Sequence, residues 1–387
     1  MRVALVGTRG APARYGGFET CVEEVGARLA DAGHHVVVYC RDRRDDAEPR
    51  RTTYRGMTLV HLPALSRRSL ETLSHTTLSI GHLMAHPADA VLLFNAANAP
   101  LLPALRARRL PVATHVDGLE WKRGKWGPVG RRYYRVAEAL AVRWSDALIA
   151  DADGIRSYYA REFGITAELI TYGAPSIHPR EPGRLTALGL EPRRYHLVVA
   201  RFEPENHVDV VVQGYCASRA TDPLVVVGSA PYGAAYRTRV ERDADDRVRF
   251  LGSVWDQSLL DELYANALTY QHGHSVGGTN PSLLRAIGAG AATDAYSVTF
   301  NREVLGDAGR YWDGPDDVRA LVEAAEQDRE GTLRRGERCR ARSAAYRWDD
   351  VAADYEKLCF RLAHREQTRS GASGMRTRRP MTVGGSR

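Results

Sequence analysis

Short apolar runs, many of them β-branched, alternate with amphipathic stretches along most of the chain. Residues 18–32 have the spacing of an amphipathic helix that ends before Gly33, a residue type that commonly ends helices. Strands that alternate with helices predict a parallel sheet covered by helices on both faces. In the first half, the strand-like runs begin at Arg2, His35, Val91, Leu110 and Ala147.

The pattern restarts after residues 172–183, where turn-forming residues indicate a linker. The fold class predicted is therefore α/β, with two Rossmann-like domains facing a central cleft. Ligands of such sheets bind beyond the carboxyl ends of the strands. We expect domains over 1–175 and 176–342, a C-terminal helix over 343–364 and a disordered basic tail over 365–387.

Composition is that of an ordinary globular protein, because 44% of the 387 residues are hydrophobic and 26% are charged. No apolar run approaches the roughly 20 residues of a membrane span. The five cysteines are scattered and form no CxxC pair, so neither zinc nor a disulfide framework is indicated. We expect a cytoplasmic protein.

The formal charge of +7 is concentrated at one end of the chain. Residues 365–387 contain six arginines and one glutamate, a net of +5. The tail is either a solubilising segment or a peripheral contact with the anionic inner face of a membrane. Nucleic-acid binding is not expected, because no aromatic residues lie between the arginines.

The segment His272-Gly-His-Ser-Val-Gly-Gly-Thr-Asn-Pro-Ser282 joins an apolar run to a predicted helix. Glycines allow the backbone to approach a ligand, and a helix N-terminus offers free N–H groups to an anion. A simple helix cap would explain Asn280 or Ser282, but not two histidines and the remaining polar positions. We interpret the segment as a ligand-binding loop for a phosphate or a nucleotide sugar.

Three further loops follow predicted strands. Gly16-Gly17 precedes a helix and could hold a phosphate or a donor oxygen, or could be a simple turn. Residues 114–123 concentrate histidine, two acids, tryptophan and two cations. Arg201 could stabilise negative charge on a leaving diphosphate, whereas the alternative is a surface ion pair with Glu203 or Glu205. Nicotinamide binding is disfavoured, because the dinucleotide spacing of glycines is missing.

Several segments resemble retaining GT-B glycosyltransferases of family 4, and most closely a rhamnosyltransferase-like branch whose N-terminal half is the DUF1972 domain. They occur in the same order as in that branch, from residue 1 to about residue 360. The matching segments are Gly7-Thr-Arg-Gly10, Tyr15-Gly-Gly-Phe-Glu-Thr20, Asp117-Gly-Leu-Glu-Trp-Lys-Arg123, Arg201-Phe-Glu-Pro-Glu-Asn206, His274-Ser-Val-Gly-Gly-Thr-Asn-Pro-Ser-Leu-Leu284 and Phe300-Asn-Arg-Glu-Val-Leu305.

The resemblance implies a GT-B fold, a last helix that crosses back onto the N-terminal domain, and transfer of a sugar from a nucleoside-diphosphate sugar. It makes residues 114–123 the acceptor-side wall. The sequence also departs from the family. Asn206 and His207 stand where many relatives have a lysine. Gly277 and Arg285 replace two glutamates, and Arg285 cannot accept hydrogen bonds from a ribose. Residues 288–294 replace the commoner strand-like segment.

We therefore expect a retaining glycosyltransferase, with rhamnose as the candidate sugar and a polysaccharide, lipid-linked sugar or natural product as the acceptor. The alternative is a catalytically degenerate paralogue that binds a partner. No cofactor or metal is expected, since no compact carboxylate set is visible. The catalytic candidates are Arg201, His115 and Asp117; the donor-binding candidates are Gly16, Gly17, Glu203, Asn206, Gly228, His274, Gly277, Gly278, Thr279, Asn280, Ser282 and Arg285; the acceptor-side candidates are Glu120, Trp121 and Lys122.

Overall fold

The computed structural model describes residues 1–13, 16–42, 51–65, 70–116, 118–124, 126–178, 183–228 and 234–366. Within these residues the chain forms two parallel sheets, each covered by helices. The predicted basic tail lies almost wholly outside the described residues. No described helix is long and apolar enough to cross a bilayer.

The N-terminal half contains an eight-stranded sheet in which every neighbouring pair is parallel except β3 with β4. Its order is β3-β4-β2-β1-β5-β6-β7-β8. The strands are β1 (Arg2–Val6), β2 (His35–Asp42), β3 (Thr53–Tyr54), β4 (Met57–Pro63), β5 (Ala90–Phe94), β6 (Val112–Val116), β7 (Ala147–Ala150) and β8 (Glu168–Leu169). The helices are α1 (Gly17–Asp31), α2 (Glu71–Ala85), α3 (Leu102–Ala107), α4 (Pro128–Trp144) and α5 (Asp153–Phe163).

The C-terminal half contains a six-stranded, wholly parallel sheet in the order β11-β10-β9-β12-β13-β14. The strands are β9 (His196–Val199), β10 (Leu224–Val227), β11 (Val248–Gly252), β12 (Thr269–His272), β13 (Ala292–Tyr296) and β14 (Arg310–Trp312). The helices are α6 (Gly183–Ala187), α7 (Val208–Cys216), α8 (Ala234–Arg242), α9 (Gln257–Asn266), α10 (Pro281–Gly288), α11 (Thr299–Leu305), α12 (Pro315–Gln327), α13 (Arg329–Ser343) and α14 (Trp348–Ala363).

Central strands of both sheets are buried on both faces, which explains their continuous apolar runs. In β1, the residues Val3 to Val6 are fully buried, and Leu5 pairs with Val38 of β2 and with Leu92 of β5. The carboxyl ends of these strands lie along one edge of the sheet, so the loops that follow them lie near one another.

The last helix, α14, packs against α1 of the N-terminal half. The Arg28 guanidinium pairs with Asp349 at 2.8 Å, and the imidazole of His34 lies 2.7 Å from the Glu356 carboxylate. A continuous apolar cluster unites β1 and α1 with α10 and α14. The two halves therefore share a core as well as a cleft.

Residues 288–294 were not expected to form a strand, and this expectation is wrong for residues 292–294, because they belong to β13, which lies between β12 and β14 in the second sheet. Small residues are needed there, since a Cβ on Gly336 of α13 would lie 2.4 Å from the Gly290 carbonyl oxygen. A buried ion pair between Arg335 and Asp294, 2.8 Å apart, fixes α13 on this strand. Asp294 therefore serves to pack α13 on the strand. A polar residue in that role is not detected by a search for β-branched residues.

Candidate donor and acceptor site

The 201–207 turn and the loop at residues 273–280 form one hydrogen-bonded unit beyond the carboxyl ends of β9 and β12. The Ser275 backbone N–H donates to the Glu205 carbonyl oxygen at 2.9 Å, and the Ser275 hydroxyl donates to the same oxygen at 3.0 Å. The imidazole of His207 bonds through Nδ1 to the Gly273 carbonyl oxygen at 2.8 Å. The unit is therefore held together independently of any ligand.

Asn206 links Arg201 to His274. The Asn206 amide donates through Nδ2 to the Arg201 carbonyl oxygen at 2.8 Å, so its Oδ1 faces the His274 ring. Nδ1 of His274 lies 2.7 Å from that Oδ1 and must carry the hydrogen. Nε2 of a neutral His274 is then an acceptor. Asn206 thus does not replace the charge of a lysine but sets the tautomer of a neighbouring histidine.

The charges of two arginines, one from each half, act on His274. Burial, together with the nearby charges of Arg123 and Arg201, holds the pKa of His274 well below its usual range. His272 is also neutral, because burial lowers its pKa to about 3. The positive charge in this part of the cleft therefore comes from the arginines, while the histidines supply neutral ring nitrogens.

The glycines of the 273–280 loop allow the two halves to touch. A Cβ on Gly118 would lie 2.2 Å from the Gly277 Cα, and a Cβ on Gly278 would lie 2.0 Å from an Asp151 carboxylate oxygen. The Thr279 hydroxyl donates to the Asp151 carbonyl oxygen at 2.6 Å. Gly277 also has φ +141°, a conformation that favours glycine. These predicted donor-loop residues thus lie at the contact between the halves.

The N-termini of α1 and α10 face each other. A Cβ on Gly17 would lie 2.9 Å from the Pro281 ring, and Asn280 caps α10 by accepting from the Ser282 backbone N–H at 2.8 Å. Near Gly16, the Glu19 carboxylate accepts the Arg9 backbone N–H at 3.1 Å. Burial raises the pKa of Glu19. A carboxyl group therefore already lies beside the first turn of α1.

Ser282 belongs to a network of tyrosines. Its hydroxyl donates to the Val199 carbonyl oxygen at 3.1 Å, and lies 2.9 Å from the Tyr270 hydroxyl and 2.5 Å from the Tyr264 hydroxyl. Ser282 has these protein partners in addition to any contact with a ligand.

Arg285 lies on α10 and forms an ion pair with Asp261 of α9, at 2.5 Å. The described contacts do not bring Arg285 to Asn206, which instead bonds to Arg201 and His274. Among the described contacts, Arg285 therefore does not supply a positive charge beside Asn206.

Gly228 and Glu203 flank the turn that carries Arg201. Gly228 has φ +146°, and a Cβ there would lie 1.8 Å from the Ala200 carbonyl oxygen. Only glycine therefore allows the ends of β9 and β10 to come this close. The 3₁₀ turn Pro204–Asn206 begins directly after Glu203. Both candidates thus lie at the carboxyl end of the second sheet.

His115 is the penultimate residue of β6 and is buried in a stack of aromatic rings. Its ring lies 5.1 Å from Phe18, 5.5 Å from Phe94 and 5.8 Å from Tyr172. Burial lowers the pKa of His115 to about 3. His115 is therefore poorly suited to accept a proton near neutral pH.

The acceptor-side candidates surround Arg123. The Glu120 carboxylate is 2.5 Å from the Arg123 guanidinium and accepts from the Trp126 indole at 3.2 Å. Lys122 is exposed, and its ammonium lies 5.5 Å from the Trp121 ring. Asp117, the remaining candidate, lies outside the described residues.

Sequence reasoning missed Arg123 as a charge in the cleft, together with Asp151 and Glu303. Glu303 accepts the backbone N–H groups of Asp153 and Gly154 at 3.0 and 2.9 Å, and so binds the N-terminus of α5. Asp151 and Glu303 contact residues that are 127 to 150 positions away in the chain, and such contacts leave no local sequence pattern. The only available signal was the presence of Arg123 and Glu303 inside the resembling segments.

Within the described ranges, no three His, Cys, Asp or Glu side chains are grouped as a metal site requires.

Comparisons with known proteins concern one domain of the chain and its overall fold. Residues 16–174 match the family model of the glycosyl transferase 4-like domain. No curated protein matches the chain by sequence. Among solved structures, sucrose-phosphate synthase from Thermosynechococcus elongatus has a TM-score of 0.79 at 19% identity, over 94% of this chain and 100% of that one.

Two further structures have the same fold. Anabaena Alr3699/HepE, in complex with UDP-glucose, has a TM-score of 0.74 at 13% identity, over 92% of this chain and 99% of that one. WaaG, a glycosyltransferase involved in lipopolysaccharide biosynthesis, has a TM-score of 0.67 at 17% identity, over 93% and 99%. The chain has the GT-B fold, as predicted. With the matched domain, this supports a GT4-like family, whereas the DUF1972 domain and the rhamnosyltransferase-like branch stay predictions.

We expect Gly118→Ala to weaken nucleotide binding and transfer, because the added methyl group would overlap the Gly277 backbone and separate the halves. The fold of each half should survive. The matched control is Gly127→Ala in the same loop, where a Cβ meets nothing within 4 Å. Isothermal calorimetry with UDP and small-angle scattering would measure the effect. Equal UDP affinities and equal scattering profiles of the two variants would contradict this prediction.

The buried histidines predict a loss of stability in acid. A histidine that is neutral when folded contributes fully above its unfolded pKa of about 6.5, and the contribution falls by about 1.4 kcal/mol per pH unit below that value. His115→Phe keeps an aromatic ring in the stack and removes one such group. Urea unfolding at pH 7.5 and 5.5 should show a smaller loss in the variant, by about 1.4 kcal/mol. If the wild type and His115→Phe lost the same free energy of unfolding between the two pH values, His115 would not be the neutral buried group described here.

Proposed function

We propose that the protein is a retaining glycosyltransferase that moves a sugar from a nucleoside-diphosphate sugar to a glycan, a lipid-linked sugar or a natural product. Rhamnose is the candidate sugar. The observation that carries the proposal is the linked set Arg201, Asn206 and His274, approached by Arg123 from the other half. The complex of Anabaena Alr3699/HepE with UDP-glucose supports a nucleotide-sugar donor for a chain of this fold.

The arginines suit the leaving diphosphate. Negative charge grows on the oxygen that leaves the sugar, and fixed cations in a site from which water is excluded stabilise this charge. Arg123 is held by Glu120, so its guanidinium is already oriented before the donor binds. The Arg201 backbone is fixed by the Asn206 amide.

His274 suits a hydroxyl group of the donor rather than a phosphate. A neutral imidazole with its hydrogen on Nδ1 offers a lone pair at Nε2. A sugar hydroxyl can donate to that lone pair, whereas a phosphate oxygen cannot. His274 would thus help to recognise the sugar, and Arg201 the diphosphate.

The proton balance favours transfer without a strong protein base. The bond between the anomeric carbon and the phosphate oxygen breaks, and a bond from that carbon to the acceptor oxygen forms. The acceptor proton moves to the departing phosphate oxygen. His115, with its pKa lowered to about 3, and Glu120, paired with Arg123, are poor candidates for taking that proton. We therefore propose a positioning role for His115 through Phe18 and Tyr172.

Arg201→Ala should reduce transfer by about 100-fold or more and leave the fold intact, since it removes charge stabilisation at the leaving group. The control is Arg237→Ala, which removes an exposed arginine on α8. Transfer would be followed with UDP- and dTDP-sugars that a thermal-shift panel first selects. A donor at 100 times its dissociation constant stabilises by about 2.7 kcal/mol. Near-normal turnover of Arg201→Ala would overturn the role.

The second candidate function is a degenerate GT-B paralogue that binds a nucleotide or a partner without turnover. It is favoured by Arg285, which pairs with Asp261 and cannot accept ribose hydroxyl protons. Nucleotide binding without turnover of any donor would support this reading.

If the site is rebuilt so that Arg285 contacts the donor diphosphate, Arg285→Glu should weaken nucleotide binding by about tenfold or more, because it replaces a cation by a carboxylate that repels the phosphates. Calorimetry with UDP and dTDP would measure this. The double variant Asp261→Asn with Arg285→Glu also removes the carboxylate of Asp261 and serves as the control. Tighter binding by the double variant would show instead that position 285 still lies at the ribose and that Arg285 had damaged the site.

A further inference from the structure

A cluster of charged side chains lies at the carboxyl edge of the first sheet and has no part in the roles described above. Its arginines are Arg9, in the loop that follows β1, and Arg41, near the end of β2. The Arg41 backbone N–H donates to the Arg9 carbonyl oxygen at 3.1 Å, so the two residues are held side by side. Parallel sheets bind ligands at this edge. We call Arg9, Arg41 and Glu71 the Arg9–Arg41 cluster.

Glu71, the first residue of α2, pairs with both guanidinium groups. Its Oε1 lies 2.9 Å from Nη1 of Arg41, and its Oε2 lies 3.8 Å from Nη2 of Arg9. The second separation is too long for a hydrogen bond. One carboxylate therefore compensates two cations and bonds closely to only one of them.

Arg41 has a buried donor that Glu71 does not satisfy. The Arg41 side chain is 8% exposed, and its Nη2 donates to the Thr72 hydroxyl at 2.9 Å. Among the residues that the structure describes, Nε of Arg41 finds no hydrogen-bond partner. An unbonded donor on a buried charged group is unfavourable, and the planar guanidinium suits bidentate bonding to a phosphate. The buried Nε therefore points to a ligand with acceptor oxygens.

A second glutamate shared by two arginines shows how a purely structural cluster is built in this protein. Glu24 of α1 pairs with Arg28 at 2.5 Å and with Arg55 at 2.7 Å. Each of these arginines also pairs with another carboxylate, Arg28 with Asp349 and Arg55 with Glu23. Arg28 lies in the last turn of α1, at the opposite end from the cleft. Arg28 and Arg55 therefore provide a matched control for Arg9 and Arg41.

The Arg9–Arg41 cluster adjoins the cleft through Glu19, in the first turn of α1. The Glu19 carboxylate accepts the Arg9 backbone N–H at 3.1 Å, and a Cβ on Gly16 would lie 2.7 Å from a Glu19 carboxylate oxygen. The next residue, Gly17, meets Pro281 of the other half. The cluster thus lies beside the facing N-termini of α1 and α10, on the half that we expect to hold the acceptor.

We propose that the Arg9–Arg41 cluster binds a phosphate group carried by the acceptor. The inference rests on the proposed transferase function and narrows the acceptor to a phosphate ester or a diphosphate. Two fixed guanidinium groups match the several oxygens of a phosphate, and arginine keeps its charge when buried. Glu71 holds the guanidinium groups in place in the free protein. Its side chain is 32% exposed, so it has room to turn away when a phosphate binds.

Two exposed leucines flank the first turn of α2, beside the cluster. Leu70 directly precedes Glu71 and is 41% exposed, and Leu65 is 56% exposed. The Leu65 backbone N–H donates to the Ser74 hydroxyl at 3.0 Å, which holds Leu65 against α2. The phosphate belongs either to a soluble sugar phosphate or to a lipid diphosphate whose apolar chain leaves water by contacting these leucines. The experiment distinguishes the two sources.

Calorimetry measures the binding of glucose 1-phosphate, with UDP at saturation so that the donor diphosphate site is already occupied. We expect glucose 1-phosphate to bind and the uncharged methyl glucoside not to bind at the same concentration. The variant Arg9→Gln, Arg41→Gln should weaken glucose 1-phosphate binding by about tenfold or more, because it removes charge-assisted hydrogen bonds. The control variant Arg28→Gln, Arg55→Gln should bind as the unchanged chain does.

Glu71→Gln separates a phosphate subsite from a structural cluster of ion pairs. Without the carboxylate of Glu71, a phosphate meets less competition for the two guanidinium groups. The affinity for glucose 1-phosphate should therefore rise by about threefold, and the affinity for UDP should stay the same. A loss of thermal stability with no gain in affinity for glucose 1-phosphate would show that the cluster is only structural and would overturn the proposal.

Farnesyl diphosphate identifies the source of the phosphate. If the acceptor is lipid-linked, Leu65→Ser with Leu70→Ser should weaken the binding of farnesyl diphosphate and leave that of glucose 1-phosphate unchanged. If the acceptor is a soluble sugar phosphate, farnesyl diphosphate should bind no more tightly than pyrophosphate. Either result supports the phosphate subsite, provided that the variant Arg9→Gln, Arg41→Gln weakens the binding.

The proposal would be overturned by unchanged affinity in the variant Arg9→Gln, Arg41→Gln, by equal loss in the control, or by tighter binding of glucuronate than of glucose 1-phosphate. If circular dichroism shows that this variant does not fold, Arg41→Lys keeps a charge but loses the planar fork, and should still weaken binding. Binding of UDP but of none of the phosphate probes would sink the subsite and leave the proposed transferase function standing. A chain that binds no UDP would contradict the proposed function, and the same variants would then decide the subsite with the phosphate probes alone.

Discussion

The contact between the 273–280 loop and the N-terminal half is the constraint on which the site depends. Gly118 meets Gly277, and Gly278 meets Asp151, at separations where any side chain would overlap backbone or carboxylate atoms. The Thr279 hydroxyl adds a hydrogen bond across the same contact. Only because the halves come this close can Arg123 of one half and Arg201 of the other both act on His274. A looser contact would leave each arginine in more water, where its charge is screened.

Burial at this contact also decides which protonation states the site can use. His115, His272 and His274 are all held neutral, since a charged imidazole is unfavourable without water around it. The histidines therefore serve as hydrogen-bonding or packing groups, and the arginines, which keep their charge when buried, provide the electrostatics. This division of roles follows from the environment and not from the residue types alone.

Much of the fold was predictable, because a doubly covered parallel sheet needs continuous apolar strands and amphipathic helices, and both leave a local pattern. Their apolar runs predicted the central strands of both sheets, from β1 through to β12 in chain order. β13 was not, since its sequence is dictated by the close approach of Gly336 and by the buried pair of Asp294 with Arg335. The site was predictable only as a set of loops. The roles of Asp151 and Glu303 depend on contacts across the chain that no spacing encodes.

The ion pair of Glu120 with Arg123 explains how a buried arginine can lie in the cleft without a ligand. Glu120 compensates Arg123 at 2.5 Å, so the free protein does not carry an uncompensated buried cation. Glu205 also has a buried carboxylate oxygen that finds no hydrogen-bond partner among the residues that the structure describes. A bound diphosphate would compete with Glu120 for the same guanidinium. The affinity for the diphosphate would then reflect the difference between two anionic partners of the same guanidinium.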